Sequence, residues 1–147
     1  MDTYQQFILA SLQSVSGIAT ASFGKVKGQE KADDRNQILT EMDVVIGKKL
    51  VELIRSSYPN HNIIDEESGC LDNKSTYTWV IDPIDGTSNF TLGIPHYGIM
   101  IGLLEREKSV AGGVALPYFS EIYVAAQGQG AFCNGKRIVV TKEQKLT

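Results

Sequence analysis

The sequence predicts an α+β fold in which two helices pack on a mostly antiparallel sheet. Apolar residues recur at three- and four-residue steps over residues 2–22 and again over about 38–57, as on one face of an α-helix. After residue 60 the pattern changes to short β-branched and aromatic runs separated by glycine and proline, which is typical of strands. Helices followed by a run of strands favour a sheet covered by helices on one face. The 147 residues suit one domain, residues 1–147.

The first predicted helix has one apolar face, and a polar stretch follows it. The residues of that face are Tyr4, Ile8, Leu12, Val15 and Ala19. Residues 24–36 are highly charged and have no periodicity, so they predict a loop, either a plain connector or a functional lid. The second helix should end at Tyr58-Pro59-Asn60, because proline disfavours helical geometry in the residue before it.

The predicted strands alternate with turn signals over the rest of the chain. They cover residues 61–64, 77–81, 96–105, 109–116 and 120–126, and a hairpin of 131–133 and 137–140 follows. Residues 105–108 are charged and predict a hairpin tip. Asn134-Gly135 predicts a two-residue hairpin turn, because asparagine and glycine are favoured where such a turn needs positive φ.

Composition and charge argue against several classes of protein. The net charge of −3 offers no basic excess for neutralising phosphates, so we expect no nucleic-acid polymer as a partner. The longest apolar run, 97–104, is too short to span a bilayer, so we expect no membrane association. The first residues do not resemble a secretory signal, and Cys70 and Cys133 predict free thiols in a reducing, cytoplasmic compartment.

Acidic residues occur at three separate places that the fold could bring together. Asp43 lies on the second helix, Glu66 and Glu67 follow a strand, Asp82 ends the next strand, and Asp85 lies in the turn after it. Strand ends are natural positions for a site, because the scaffold holds them while their tips stay accessible. Each place alone has a plainer explanation as a turn, a solvated patch or an exposed helix residue. The hypothesis of a site rests on their occurring together.

The turn within residues 79–90, WVIDPIDGTSNF, has a constrained backbone. Pro83 fixes its own φ and holds Asp82 in extended geometry. The carbonyl of Ile84 is then free to point where the neighbouring carboxylates point. The segment therefore predicts several oxygen atoms directed to one place.

The residues after this turn predict a place for an anion. Gly86 permits a sharp turn or a close approach to a ligand, and Thr87 and Ser88 supply hydroxyl and backbone N–H groups. The crowded carboxylates before them repel one another unless some are protonated or a divalent cation lies between them. Oxygen ligands for Mg²⁺ beside donors for an anion indicate metal-assisted phosphate chemistry.

Four segments resemble the inositol monophosphatase family. They are the DPIDGTSNF run at 82–90, IIDEES at 63–68 with Asp65 in place of the family's usual glycine, LTEMD at 39–43, and GQGAFCNGKRI at 128–138. The resemblance covers nearly the whole chain. It implies the layered fold of the sugar phosphatases and a Mg²⁺-dependent, lithium-sensitive phosphomonoesterase acting on a small phosphorylated substrate.

The resemblance also implies roles for individual residues. The metal ligands would be Glu66, Asp82, the carbonyl of Ile84, and Asp85. The catalytic groups would be Thr87, oriented by Asp43, and Glu67 beside the metal-bound water. The phosphate would be held by Asp85, Gly86, Thr87 and Ser88. Lys31 would be the functional lysine of a mobile loop. Asp85 could instead act as a nucleophile, but a carboxylate occupied by a metal is a poorer nucleophile, so we prefer attack by water.

The family's second signature, W-D-x-A-A-G, has no counterpart, since the only tryptophan is Trp79. The chain therefore resembles the family's N-terminal half. We expect the first metal site to be complete, the second to lack a ligand, and turnover to be low or absent. A sheet surface that the other half would cover should be exposed, which favours a homo-oligomer.

Several functions remain open at this point. Inositol phosphates, sugar phosphates, 3′-phosphonucleotides and histidinol phosphate are substrates of relatives that share the first signature. A different class of function is a non-catalytic metal-binding or interaction module that keeps the fold. The plainest alternative is a structural α+β domain with an acidic surface.

Overall fold

The computed structural model describes residues 1–30 and 38–141. Its helices are α1 (Thr3–Ser22), α2 (Glu41–Ser57) and α3 (Thr87–Leu92), with one 3₁₀ turn at Pro117–Phe119. Its strands are β1 (Gln29–Glu30), β2 (Ile38–Leu39), β3 (Asn62–Asp65), β4 (Gly69–Leu71), β5 (Tyr77–Asp85), β6 (Gly98–Glu105), β7 (Lys108–Leu116), β8 (Glu121–Ala126), β9 (Gly130–Cys133) and β10 (Lys136–Ile138).

One open sheet carries the architecture. Eight strands run in the order β10-β9-β8-β7-β6-β5-β3-β4, and every neighbouring pair is antiparallel except β3 with β5. Helices α1 and α2 pack on one face, against β5 to β8 and against each other. The predicted α+β class, with two helices on a mostly antiparallel sheet, is therefore confirmed.

Helix α1 begins where a reciprocal cap forms. The backbone N–H of Gln5 donates to Asp2 at 2.8 Å, and the backbone N–H of Asp2 donates to the Gln5 side chain at 3.0 Å. Four of the five apolar positions predicted for its buried face, Ile8, Leu12, Val15 and Ala19, are fully buried. The predicted periodicity thus identified the surface that covers the sheet.

The start of the second helix differs from the prediction. Helix α2 begins at Glu41, and residues 38–39 form a short strand paired with 29–30. Thr40 has extended backbone angles, and its hydroxyl accepts from the N–H groups of Met42 and Asp43. The helix starts here because this side chain satisfies N–H groups that have no partner inside the helix.

The strand that carries the DPID run is longer than predicted. Asp82 does not end it, and Asp85 does not lie in a turn, because β5 continues to Asp85. Its pairing with β6 is irregular between Asp82, which faces Met100, and Asp85, which faces Gly98. Pro83 lacks the N–H that a regular ladder needs, so the strand distorts there while its neighbour continues.

Two smaller predictions also need correction. Strand β4 was not predicted, although it lies at one edge of the sheet beside β3. The last predicted strand, 137–140, is observed as Lys136–Ile138, and Val139 and Val140 are exposed. Short edge strands have few cross-strand partners, so local sequence patterns determine their limits poorly.

The sheet face opposite α1 and α2 is apolar and open in the described part of the chain. Val80, Met100, Leu104, Val114 and Tyr123 share this face by register and line a groove of about 720 Å³. This is the exposed surface that the sequence led us to expect. The homo-oligomer expected through it stays a prediction. No helix in the described residues has the length and apolarity needed to cross a membrane.

An aromatic cluster holds the start of β5. The fully buried Trp79 donates its indole N–H to Nδ1 of His61 at 3.1 Å, and the imidazole stacks between the rings of Tyr58 and Tyr77. Burial lowers the pKa of His61 below its ordinary 6.5. The bond from Trp79 requires an unprotonated Nδ1, which also disfavours the doubly protonated ring.

The cluster generates a prediction for stability against pH. Because the pKa of His61 is lower in the folded chain, the unfolded chain binds more protons below about pH 6.5. The contribution of His61 to the free energy of unfolding should therefore fall as the pH drops from 7 to 5. His61→Gln can still accept from Trp79 and lacks this titration, so the variant should gain stability relative to the parent chain as the pH falls in urea unfolding measured at several pH values. A stability difference between the two chains that stays constant with pH would contradict the assignment.

Contact between α1 and the sheet requires glycine at 113. A Cβ there would lie 2.5 Å from Cγ2 of Ile8 and 2.9 Å from the carbonyl oxygen of Tyr123. We expect Gly113→Ala to lower the free energy of unfolding by about 1–3 kcal/mol, because the helix must move away from β7. Gly102→Ala is the matched control, since a Cβ there meets nothing within 4 Å. Equal urea midpoints for the two variants would contradict this interpretation.

Candidate functional site

The buried carboxylate of Asp43 joins the start of α2 to the end of β5. Its Oδ2 accepts from the backbone N–H of Thr40 at 2.7 Å and from the Thr40 hydroxyl. Its Oδ1 lies 3.2 Å from the hydroxyl oxygen of Thr87. Asp43 is only 1 % exposed, and this burial raises its pKa, although the hydrogen bonds from Thr40 and Thr87 oppose the rise. The residue is thus both part of the helix cap and part of the site.

The Thr87 hydroxyl has two acceptors within reach and one proton. Its oxygen lies 2.8 Å from the carbonyl oxygen of Ile84 and 3.2 Å from Oδ1 of Asp43. The hydroxyl can donate to only one of them at a time. If the Ile84 carbonyl oxygen bonded to another group, the Thr87 hydroxyl would therefore donate its proton to Asp43. The structure brings these three predicted site residues together.

Asp82 is the most constrained carboxylate of the site. Its Oδ1 is buried and has no hydrogen-bond partner among the described residues. Burial, followed by the negative charges of Glu66 and Asp85, raises the pKa of Asp82 to about 7. A hydrogen bond with the Glu66 side chain and the charge of Asp43 make smaller contributions to this raised pKa. These interactions place the carboxyl groups of β5, α2 and the turn after β3 near one another.

Glu66, Glu67 and Asp85 lie at the accessible side of this group. Glu66 and Asp85 are exposed, Glu67 is half-buried, and the Glu66 backbone N–H donates to the Ile81 carbonyl at 3.2 Å. This bond extends the parallel pairing of β3 with β5 past the end of β3. The turn carrying Glu66 is therefore fixed beside Asp82. The Glu67 backbone N–H lies 3.4 Å from Oδ1 of Asp65.

The predicted anion-binding residues form the start of α3. Gly86 caps the helix with a φ of 82°, and a Cβ there would lie 3.0 Å from the His96 carbonyl oxygen. Glycine is therefore required by conformation and by space. Thr87 and Ser88 are the first two residues of the helix, where backbone N–H groups have no acceptor within the helix. Asn89 holds the next segment through a bond to the same His96 carbonyl, at 2.8 Å.

The donor set has the chemistry that a hard divalent cation requires. It offers carboxylates on Glu66, Asp82 and Asp85 and the carbonyl of Ile84, and Mg²⁺ binds oxygen ligands of this kind. The unpartnered Oδ1 of Asp82 and the negative charges around it are features that a cation would neutralise. Among the described residues, however, no three acidic, histidine or cysteine side chains are gathered closely enough to hold a metal ion. The residues fit a cation by chemistry, without forming a closed ligand shell.

Two residues of the site region were not assigned a role from the sequence. Thr40 is buried and bonded to Asp43, and the Thr-x-x-Asp spacing is the capping-box signal that could have revealed it. Asp65 was noted only as a replacement for glycine, yet it is buried beside the site. Lys31, together with residues 32–36 of the predicted loop, lies outside the described residues.

Comparison with known proteins decides the family. The sequence profile described as the inositol monophosphatase family matches residues 2–147. The chain belongs to the inositol monophosphatase family. The resemblance seen in the four sequence segments is thereby confirmed.

Relatives in this family differ in their named activities. The chain is 33% identical to a fructose-1,6-bisphosphatase/inositol-1-monophosphatase of Aquifex aeolicus, covering 99% of this chain and 57% of the relative. It is 39% identical to the Nus factor SuhB of Pasteurella multocida, covering 82% and 48%. The chain thus spans about half the length of these relatives, as expected for one half of the family's fold.

A solved structure supports the same assignment. The IMPase of Thermotoga maritima superposes with a TM-score of 0.85 at 35% identity, covering 93% of this chain and 53% of that one. The sheet and helices described above are therefore those of an inositol monophosphatase fold. The roles of the individual site residues stay predictions.

The half-buried carboxylate of Asp82 should lower the stability of the metal-free chain. We expect Asp82→Asn to raise the free energy of unfolding by about 1–3 kcal/mol in EDTA at pH 8, because it removes a charge that partial burial and the neighbouring carboxylates disfavour. Mg²⁺ should stabilise the parent chain and have little effect on this variant. Urea unfolding measures both quantities. Asp72→Asn, in an exposed loop, is the control, and a destabilised Asp82→Asn would refute the charge argument.

Proposed function

We propose that the chain carries the metal-binding half of a Mg²⁺-dependent phosphomonoester hydrolase. The observation that supports this most is the buried, unpartnered oxygen of Asp82 among the charges of Glu66, Asp85 and Asp43. Such crowding costs stability and is expected where a site needs it for binding. Membership of a family whose relatives are named as phosphatases supports the same function.

The residues that would hold Mg²⁺ are Glu66, Asp82, Asp85 and the carbonyl of Ile84. When bound, the cation would supply Lewis-acid polarisation and lower the pKa of a coordinated water. Glu67, next to Glu66, would accept a hydrogen bond from a water molecule at the accessible side of the site. Asp85 is exposed on the strand end, where it can also meet the substrate.

Thr87 and Asp43 would handle the proton of the attacking water. The Thr87 hydroxyl is shared between the Ile84 carbonyl and Asp43, so it can accept from water while donating to Asp43. Burial of Asp43 keeps this acceptor away from competing solvent. The N–H groups of Gly86, Thr87 and Ser88 would hold the phosphate oxygens.

The substrate we propose is a small phosphate ester such as an inositol or sugar phosphate. The Aquifex relative is named both a fructose-1,6-bisphosphatase and an inositol-1-monophosphatase. A 3′-phosphonucleotide or histidinol phosphate remains an alternative. Since the chain spans about half the length of its relatives, we propose that groups outside these 147 residues complete the site and that this chain alone turns over slowly.

A second candidate function is a non-catalytic metal-binding or interaction module. One observation favours it: a relative is named a Nus factor. Binding of Mg²⁺ without phosphate release would support this alternative. For either function we propose a cytoplasmic location, because Cys70 and Cys133 are both free.

The proposal is tested by phosphate release from inositol 1-phosphate, fructose 1,6-bisphosphate and a 3′-phosphonucleotide. We expect release with Mg²⁺, none with EDTA, and inhibition by lithium. Asp85→Asn should lower the rate by about a hundredfold or more, the scale expected when a group that stabilises the transition state is lost. Asp72→Asn is the matched control, because it removes the same charge from an exposed loop. Metal-independent release, or equal rates for the two variants, would contradict the proposed site.

A further inference from the structure

Asp65 is a buried carboxylate that the proposed function does not use. It is the last residue of β3 and directly precedes Glu66 and Glu67. It pairs with Ile81 of β5 on one side and with Gly69 of β4 on the other, and it is 3 % exposed. An aspartate is seldom buried this completely unless its oxygens have partners.

The partners of this carboxylate lie in the turn that carries the two glutamates. Oδ1 of Asp65 lies 3.4 Å from the Glu67 backbone N–H, and Oδ2 accepts a short hydrogen bond from the Ser68 hydroxyl. An aspartate that accepts from the residue two positions on forms an Asx-turn, which fixes the local backbone. The side chain of Asp65 therefore closes the turn between β3 and β4.

The other side of the carboxylate faces α2 and β5. A Cβ at Gly47 would lie 2.9 Å from Oδ2 of Asp65 and 3.1 Å from Cγ of Pro83. Gly47 lies one helical turn after Asp43, inside a regular helix, so its backbone conformation does not demand glycine. Glycine is needed here because the Asp65 carboxylate and the Pro83 ring together occupy the space that a side chain would fill.

Asp65 thus connects all three segments that carry the candidate ligands. Its carboxylate bonds within the turn holding Glu66 and Glu67 and lies against Gly47 of the helix holding Asp43, and its backbone pairs with Ile81 of the strand holding Asp82. These contacts connect segments that are distant in the sequence. Rigid support of this kind determines how precisely ligands are placed.

We propose that Asp65 is a positioning residue that sets the place of Glu66 and Glu67 relative to Asp82 and Asp85, and that Gly47 provides the space for it. This inference rests on the proposed metal site. It concerns this chain in particular, since the resembling family segment usually has glycine at position 65. The required property is a hydrogen-bond acceptor of this shape, and the negative charge is not required.

The experiment is Mn²⁺ binding to the full chain by electron paramagnetic resonance, which needs no substrate and no turnover. Asp65→Ala should weaken Mn²⁺ affinity by about 10- to 100-fold, the range typical of groups that orient metal ligands. Asp65→Asn keeps an acceptor in nearly the same shape and should stay within about threefold of the parent chain. Hydrogen exchange at the Glu67 amide should quicken in Asp65→Ala and remain slow in Asp65→Asn.

The outcomes separate this inference from the proposed function. A parent chain that binds no Mn²⁺ would overturn the proposed function and the metal-site role of Asp65 together. Binding by the parent with equal affinity in Asp65→Ala would overturn only the role of Asp65. Equal weakening in the Asn and Ala variants would show that charge matters and would also overturn it. Ile54→Val, a core change on the same helix, controls for lower stability.

Two further variants keep the test decisive if Asp65→Ala does not fold. Ser68→Ala removes the hydroxyl donor from an exposed residue and should weaken Mn²⁺ binding in the same direction. Gly47→Ala should weaken Mn²⁺ binding in the parent chain and in the Asp65→Asn background, and should weaken it less in the Asp65→Ala background, where only Pro83 still opposes the new methyl group. Strictly additive effects of the two sites, or unchanged affinity in Ser68→Ala, would contradict the proposed contact.

Discussion

The site depends on one constraint, which is that β5 holds the half-buried carboxylate of Asp82 among other negative charges. Asp82 is kept there because β3 and β6 pair with the strand on both sides, while Pro83 interrupts the regular ladder directly after it. The repulsion cannot be relieved by moving the backbone, because the strand is central in the sheet. The free energy of that repulsion is therefore available to a ligand that neutralises it.

Helix α2 contributes to the same site through its first turn. Asp43 stabilises the helix start by accepting from Thr40, and its second oxygen meets the Thr87 hydroxyl at the end of β5. One buried side chain thus serves both local structure and the site. A change at Asp43 would alter helix stability and the orientation of Thr87 together, so its contribution to function can be separated only by measuring both properties.

The two ends of β5 are held by different physical means. At its start, the buried ring of Trp79 is fixed by His61 and by neighbouring aromatic rings. At its end, the strand leads through Gly86 into α3, whose Phe90 is fully buried. The apolar anchors on both sides of the DPID run resist the displacement that carboxylate repulsion would otherwise cause. Hydrophobic packing therefore maintains an electrostatically unfavourable arrangement.

Local sequence patterns were sufficient to predict the fold class, the apolar face of α1 and the set of acidic residues, because periodicity, glycine and proline positions, and residue spacing are local properties. The tertiary structure alone decided that Asp43 is buried, that β5 runs on through Asp85, that residues 38–39 pair with 29–30, and that Asp65 packs against Gly47. These features arise from contacts between segments far apart in the chain. Burial and charge proximity depend on such contacts, and no local pattern specifies them.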